Sequence, residues 1–191
     1  DAYIAGLETE NARHGAIGSA LGMLCVRQVS ENIGSTDILN KPDDKKGRSF
    51  YSLTESGLKR FVTASLSTGQ KISELTNEQI KNLVAKGYIF VGPYIGASGM
   101  YFSGSATCCT KTSDYAYIEN NRVWNKAARL IREALAPFLK GKVKKDPSTG
   151  YIKATTIAHW ERVCAKASIE RMETENDISG GEIYISEKQS P

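Results

Sequence analysis

Residues 114–139, DYAYIENNRVWNKAARLIREALAPFL, constrain the fold more than any other stretch of this chain. Tyr117, Asn121, Trp124, Ala128, Ile131, Leu135 and Phe138 recur at spacings of 4, 3, 4, 3, 4 and 3, the period of one helical face. The spacing predicts a long helix at about 114–140, roughly 40 Å if continuous. Ser113 or Asp114 is the expected N-cap, Pro137 kinks or ends the helix, and Gly141 closes it. The apolar stripe is expected to face the core, with Asn121 its one polar member. Arg122, Lys126 and Arg129 form a second, basic stripe about 100° around the same helix.

The rest of the chain supplies shorter elements. Residues 9–27 predict a helix capped by Thr9, with Gly15, Gly18 and Gly22 at helical spacing. Each glycine costs a helix up to ~1 kcal/mol, so close approach of another backbone, inside the protein or in an assembly, is expected there. Residues 34–48 are rich in turn formers and charge and read as a surface loop; SFYSL and LKRFVTASL after them lean towards strand. Thr76 with Gln79 three residues on is a capping box, and the helix it opens stops at Gly87. YIFVG (88–92) and MYFSG (100–104) read as strands joined by a glycine-rich connection. KVKKDPSTGYI predicts a basic turn or hairpin, residues 154–174 a last helix with Ile157, Trp160, Cys164 and Ala167 on one side, and GEIYIS (181–186) a closing strand. Helices alternating with two groups of short strands predict an α+β fold, a small mixed sheet covered by helices.

Charge is unevenly placed. Residues 119–146 hold eight positive against three negative side chains, whereas residues 170–191 hold six negative against two positive. Such segregation fits contact between the two segments, within one chain or between neighbours. The candidate interface residues are Arg122, Lys126 and Arg129 on the basic side and Glu173, Glu175 and Asp177 on the acidic side.

Chemistry is harder to find. The glycines of GPYIGASG fall at 92, 96 and 99 and lead into a strand-like segment, where a dinucleotide motif needs a helix start. No phosphate loop, zinc-protease motif or calcium loop is present, and no cofactor or metal site is expected. Cys25, Cys108, Cys109 and Cys164 lack the spacing of a disulfide framework or zinc site and read as reduced thiols in a cytoplasmic setting. His14 and His159 stand alone; a thiol nucleophile at Cys108 or Cys109 with His159 is the one enzymatic reading. Trp124 and Phe138, the aromatics of the basic segment, lie on the stripe assigned to the core, so nucleic acid is not an expected partner. No run approaches the ~20 apolar residues of a membrane helix, and no signal peptide is seen.

The segment from Gly87 to Leu139 resembles the core of contractile tail sheath proteins of phages and related bacterial injection machines. The pattern is a strand (Tyr88 to Gly92), a glycine-bearing turn (Gly96 to Gly99), a strand of the Y-F kind (Tyr101–Phe102), a polar loop, and SDYAYIENNR (113–122) opening a long helix. GAIGSALGMLCVRQVSENIG (15–34) resembles an earlier helix of that family, and GYIKATTIAHWERVCAKASIERM (150–172) the helix after its short hairpin. The resemblance implies a non-enzymatic subunit that polymerises as a helical homo-oligomer around an inner tail tube, above a baseplate. It further implies a sheath that contracts to drive the tube through an envelope, located in the virion tail sheath or in the bacterial cytoplasm as an assembled particle. A tube or baseplate component of a phage, prophage or contractile injection system is the alternative. Residues 1–191 are expected to be one tail-sheath core domain, a fragment without the N-terminal arm and final apolar strand of such subunits.

Overall fold

A computed structural model describes residues 2–3, 15–36, 53, 64–66, 68–97 and 99–188. The chain divides into two compact units, Asp1–Asn120 and Asn121–Pro191. The α+β class holds: among the described residues helices dominate, and the strands form two small antiparallel ribbons.

In the first unit, β1 (Ala2–Tyr3) pairs with β2 (Ser65–Leu66). Helix α1 spans Ile17–Val26; the expected cap Thr9, His14, and most of the 34–48 loop and of the strand-like runs after it lie outside the described residues. The capping box forms as read: the Gln79 amide donates to Thr76 Oγ1 (3.3 Å), and the Thr76 amide donates to Gln79 Oε1 (2.8 Å). Helix α2 (Asn77–Ala85) follows and ends where Gly87 takes φ 79°, a conformation that costs glycine nothing. The two predicted strands become β3 (Val91–Pro93) and β4 (Met100–Phe102), paired antiparallel with Val91 opposite Phe102. Met23, Ile33, Ile72, Phe90, Val91 and Phe102 form the buried cluster of this unit.

The close approach seen at a glycine is not in α1. A Cβ built on Gly18 or Gly22 meets nothing within 4 Å among the described residues of this one chain. Gly34 makes the approach: its Cβ would fall 2.4 Å from the Phe102 carbonyl oxygen and 3.2 Å from the Gly104 nitrogen. The backbones of the 32–35 turn and of the end of β4 therefore touch at a point only glycine permits.

The long helix α3 spans Ile118–Leu135, with its last turn tightened to 3₁₀ at Ala136–Phe138 around Pro137. It starts four residues later than read, because Tyr117 bridges Ala106 and residues 113–116 form a turn closed by the Ala116 amide on the Ser113 carbonyl (3.0 Å).

Its faces also differ from expectation. Leu130 is the buried residue of α3, whereas Tyr117, Trp124 and Ala128 of the assigned core stripe are exposed. Val123, Ala127, Leu130 and Ala134 give a second apolar row at the same 4-3-4 spacing, and this row is the more shielded one.

In the second unit the basic hairpin forms, with Lys145 bridging Ile152 and the Asp146 side chain accepting from the Ser148 amide (2.8 Å). Hydrogen bonds to Ser148 and Thr149 hold the Asp146 carboxyl below its usual pKa. The last helix is broken in two, α4 (Ala154–Ala167) and α5 (Ile169–Thr174). Between them the buried Ser168 hydroxyl donates to the Cys164 carbonyl (2.7 Å), which already accepts the Ser168 amide (2.9 Å). Bonding back to the fourth residue before it bends a helix. Ile157 and Cys164 are buried as read, joined by Ser168 and Met172. Residues 181–186 form no strand among the described residues; the Ile185 amide instead donates to Glu161 Oε1 (2.9 Å), so the closing strand of the sequence reading is a side-chain-pinned segment.

Candidate functional site

The acidic tract begins at the end of α5, and its geometry follows from one αL residue. Asn176 has φ 58°, its amide donates to the Glu173 carbonyl (3.0 Å), and the Asp177 amide donates to the Met172 carbonyl (2.8 Å). This is a Schellman ending with asparagine in the left-handed position. It sets Glu175 and Asp177 at the carbonyl end of a helix, where the backbone dipole repels carboxylates. A cation is needed, and Lys126 of α3 supplies it, bonding both Glu175 Oε2 and Asp177 Oδ2. The Lys126 side chain is 13% exposed, Asp177 3% and Glu175 39%. Arg171 bonds Glu175 from one turn earlier (2.9 Å).

Burial alone would lower the Lys126 pKa, but the hydrogen bonds and charges of Asp177 and Glu175 outweigh it and leave it raised. Hydrogen bonds from Lys126 and then Arg171 hold Glu175 below its ordinary value.

Three of the six candidate residues thus meet inside one chain: Lys126, Glu175 and Asp177. Arg122 lies half-buried one turn before Lys126. Arg129 is exposed and pairs loosely with Glu133 on its own helix (3.8 Å), and Glu173 is exposed. Arg171 was not singled out in the sequence; its i, i+4 spacing to Glu175 was the available signal.

A second polar node lies in the first unit and was also missed. Asn32 Nδ2 donates to Ser105 Oγ (2.8 Å) and to Glu119 Oε1 (3.2 Å), and Ser105 Oγ donates to Glu119 Oε2. The Gly34 amide closes on Asn32 Oδ1 (2.8 Å), and the Ile118 amide on the Ser105 carbonyl (2.9 Å). Arg27 bonds Glu31 and the Ser35 carbonyl beside it. Glu119 sits in the first turn of α3, the favourable end for a carboxylate.

An open cleft of about 310 Å³ adjoins this node, lined among others by Asn32, Tyr88, Ser105, Cys108, Cys109 and Lys111. Cys108 and Cys109 are exposed, and His159 stacks edge-on against Phe138 with ring centres 5.8 Å apart. Among the described residues no group of three or more histidine, cysteine, aspartate or glutamate side chains is arranged to hold a metal ion. Among the same residues no helix is long and apolar enough to cross a membrane.

Residues 4–106 match the model of the DUF2586 N-terminal domain, and residues 114–191 that of the DUF2586 C-terminal domain. The chain belongs to the DUF2586 family. No curated protein and no solved structure matches it. The interval between the two DUF2586 matches is the loop that carries Cys108 and Cys109 and ends at the turn before α3. The asparagine–serine–glutamate node therefore joins residues of both DUF2586 segments, Asn32 and Ser105 from the N-terminal one and Glu119 from the C-terminal one.

Proposed function

We propose that the chain is a structural subunit of a contractile tail sheath, in a phage tail, a prophage particle or a bacterial contractile injection system. Its partners on this reading are other copies of itself, an inner tail tube protein and a baseplate, and its work is done through protein surfaces without an active site of its own. The observation that carries the reading is the bonding of Asn32 to Glu119. Those residues belong to two of the segments that resemble sheath proteins, ENIG at 31–34 and SDYAYIENNR at 113–122. Segments far apart in sequence that resemble one family and also hold each other in place are expected of a shared scaffold more than of a chance pattern.

Large apolar side chains left uncovered in a single chain add to it. Trp124 is 57% exposed and Leu139 74%, and aromatic residues of this kind are enriched at protein interfaces. Electron microscopy of the purified protein tests the reading. Striated tubes or curved sheets with a regular repeat are expected; narrow smooth tubes would indicate a tube protein and discrete rings a baseplate part. A monomer at every concentration tried would overturn it.

A further inference from the structure

With Lys126, Arg171, Glu175 and Asp177 engaged with one another, the charge segregation read from the sequence moves elsewhere on the second unit. Among the described residues, Lys140, Lys142, Lys144 and Lys145 are exposed and make no ion pair. The same holds for Glu170, Glu173, Glu182 and Glu187. Among the described residues, these four lysines of the hairpin arm and four glutamates of residues 170–187 therefore find no ion-pair partner.

Each tract also carries uncovered apolar surface. Leu139 and Tyr151 flank the lysines, and Tyr184, 84% exposed, lies between Glu182 and Glu187. An apolar centre ringed by charge is the usual anatomy of a protein interface, where the centre supplies affinity and the rim register and speed.

We propose that the lysine arm, residues 139–153, of one copy docks the acidic tract, residues 170–187, of a second copy, with Tyr184 seated against Leu139 and Tyr151. This inference rests on the sheath reading and names the contact through which subunits join. Because the two surfaces differ, the contact is head-to-tail: each copy keeps one free arm and one free tract, and the chain of copies extends instead of closing as a dimer. The occupant is a second copy because this chain carries the matching charge and the matching aromatic. A nucleic acid would be met by stacking aromatics gathered among the lysines, and Tyr151 is the single aromatic of residues 140–153.

The experiment uses charge reversal and mixing with the full chain, followed by sedimentation velocity and electron microscopy. One variant carries Lys142→Glu, Lys144→Glu and Lys145→Glu; the other carries Glu170→Lys, Glu173→Lys, Glu182→Lys and Glu187→Lys. All seven side chains are exposed, and circular dichroism verifies the fold of each variant. Either variant alone should associate about a hundredfold more weakly than wild type, since attraction at the rim becomes like-charge repulsion. An equal mixture of the two should recover association, because every arm again meets a tract of opposite sign. Raising salt from ~0.1 M to ~1 M, which shortens the screening length from about 10 Å to about 3 Å, should slow wild-type association.

Wild type that assembles together with a lysine variant that assembles equally well would overturn this contact and leave the sheath reading standing. Failure of the mixture to recover would also overturn it. Wild type that never associates would overturn both. Lysine-dependent binding of a fluorescein-labelled single-stranded oligonucleotide, with self-association unchanged by the lysine variant, would overturn it in favour of nucleic acid.

Discussion

Lys126 is where the structure turns a surface argument into a stability argument. On the sequence alone, reversing Arg122, Lys126 and Arg129 to glutamate should abolish assembly and leave the fold intact. The Lys126 ammonium, however, is held between Glu175 and Asp177, and the Asp177 side chain is 3% exposed. Removing the cation leaves a shielded carboxylate at a helix C-terminus with its principal counter-charge gone. A fully buried pair broken in this way costs about 3–5 kcal/mol, and an exposed pair about 0.2–1 kcal/mol. Asp177 sits near the first limit and Glu175, 39% exposed, near the second, so Lys126→Met should cost about 2–3 kcal/mol. For a chain of this length that lowers Tm by about 4–12 °C in calorimetry. Asp177→Asn should be milder, and the cycle that combines it with Lys126→Met should give a coupling of about 1–2 kcal/mol.

The same cluster sets a pH window. Lys126, raised above its ordinary 10.5, contributes stability that is fully present below that value and lost as pH rises through the folded value. Glu175, lowered from its ordinary 4.5, contributes stability present above 4.5 and lost as pH falls through its folded value. Wild type should therefore lose stability beyond both limits, and Lys126→Met should flatten the alkaline limb. A Lys126→Met protein that melts within about 1 °C of wild type, with no coupling to Asp177→Asn, would refute the reasoning.

Two further outcomes are expected. Gly34→Ala should destabilise by at least about 2 kcal/mol, because the new methyl meets backbone atoms of Phe102 and Gly104 that cannot swing away, whereas Gly18→Ala should be neutral or stabilising; urea denaturation of the two variants compares them directly. Thiol titration should find Cys25, Cys108 and Cys109 reactive in the native protein and Cys164, buried with its pKa raised by that burial, reactive only after unfolding; a fast Cys164 would contradict the packing of α4.

What could be read in advance depended on how local the physics was. The capping box at Thr76 and Gln79, the stop at Gly87, the basic hairpin and the end of the long helix at Pro137 are decided within a few residues, and all are found. The core face of α3 was misread because that helix carries two apolar rows, one through Trp124 and Ala128 and one through Ala127 and Leu130, and periodicity cannot choose between them. Lys126 falls on the shielded side, where a cation needs partners, and those partners lie about 50 positions along the chain (from 126 to 175 and 177). Among the described residues Gly18 and Gly22 of α1 stand open, while Gly34, in a turn with no periodic pattern around it, receives the close contact. Asn32, Ser105 and Glu119 are common residue types without motif spacing, so their meeting was visible only in three dimensions.

Ser168 governs more than its own turn. Its hydroxyl claims the Cys164 carbonyl at the break between α4 and α5, where Ser168 takes φ −112° and ψ −66°, and any bend made there is passed on to everything after it. A straight rod from Ala154 to Thr174 would aim the Schellman turn along another line and carry Glu175 and Asp177 away from the ammonium that neutralises them. One oxygen atom thus steers an electrostatic contact made several residues downstream.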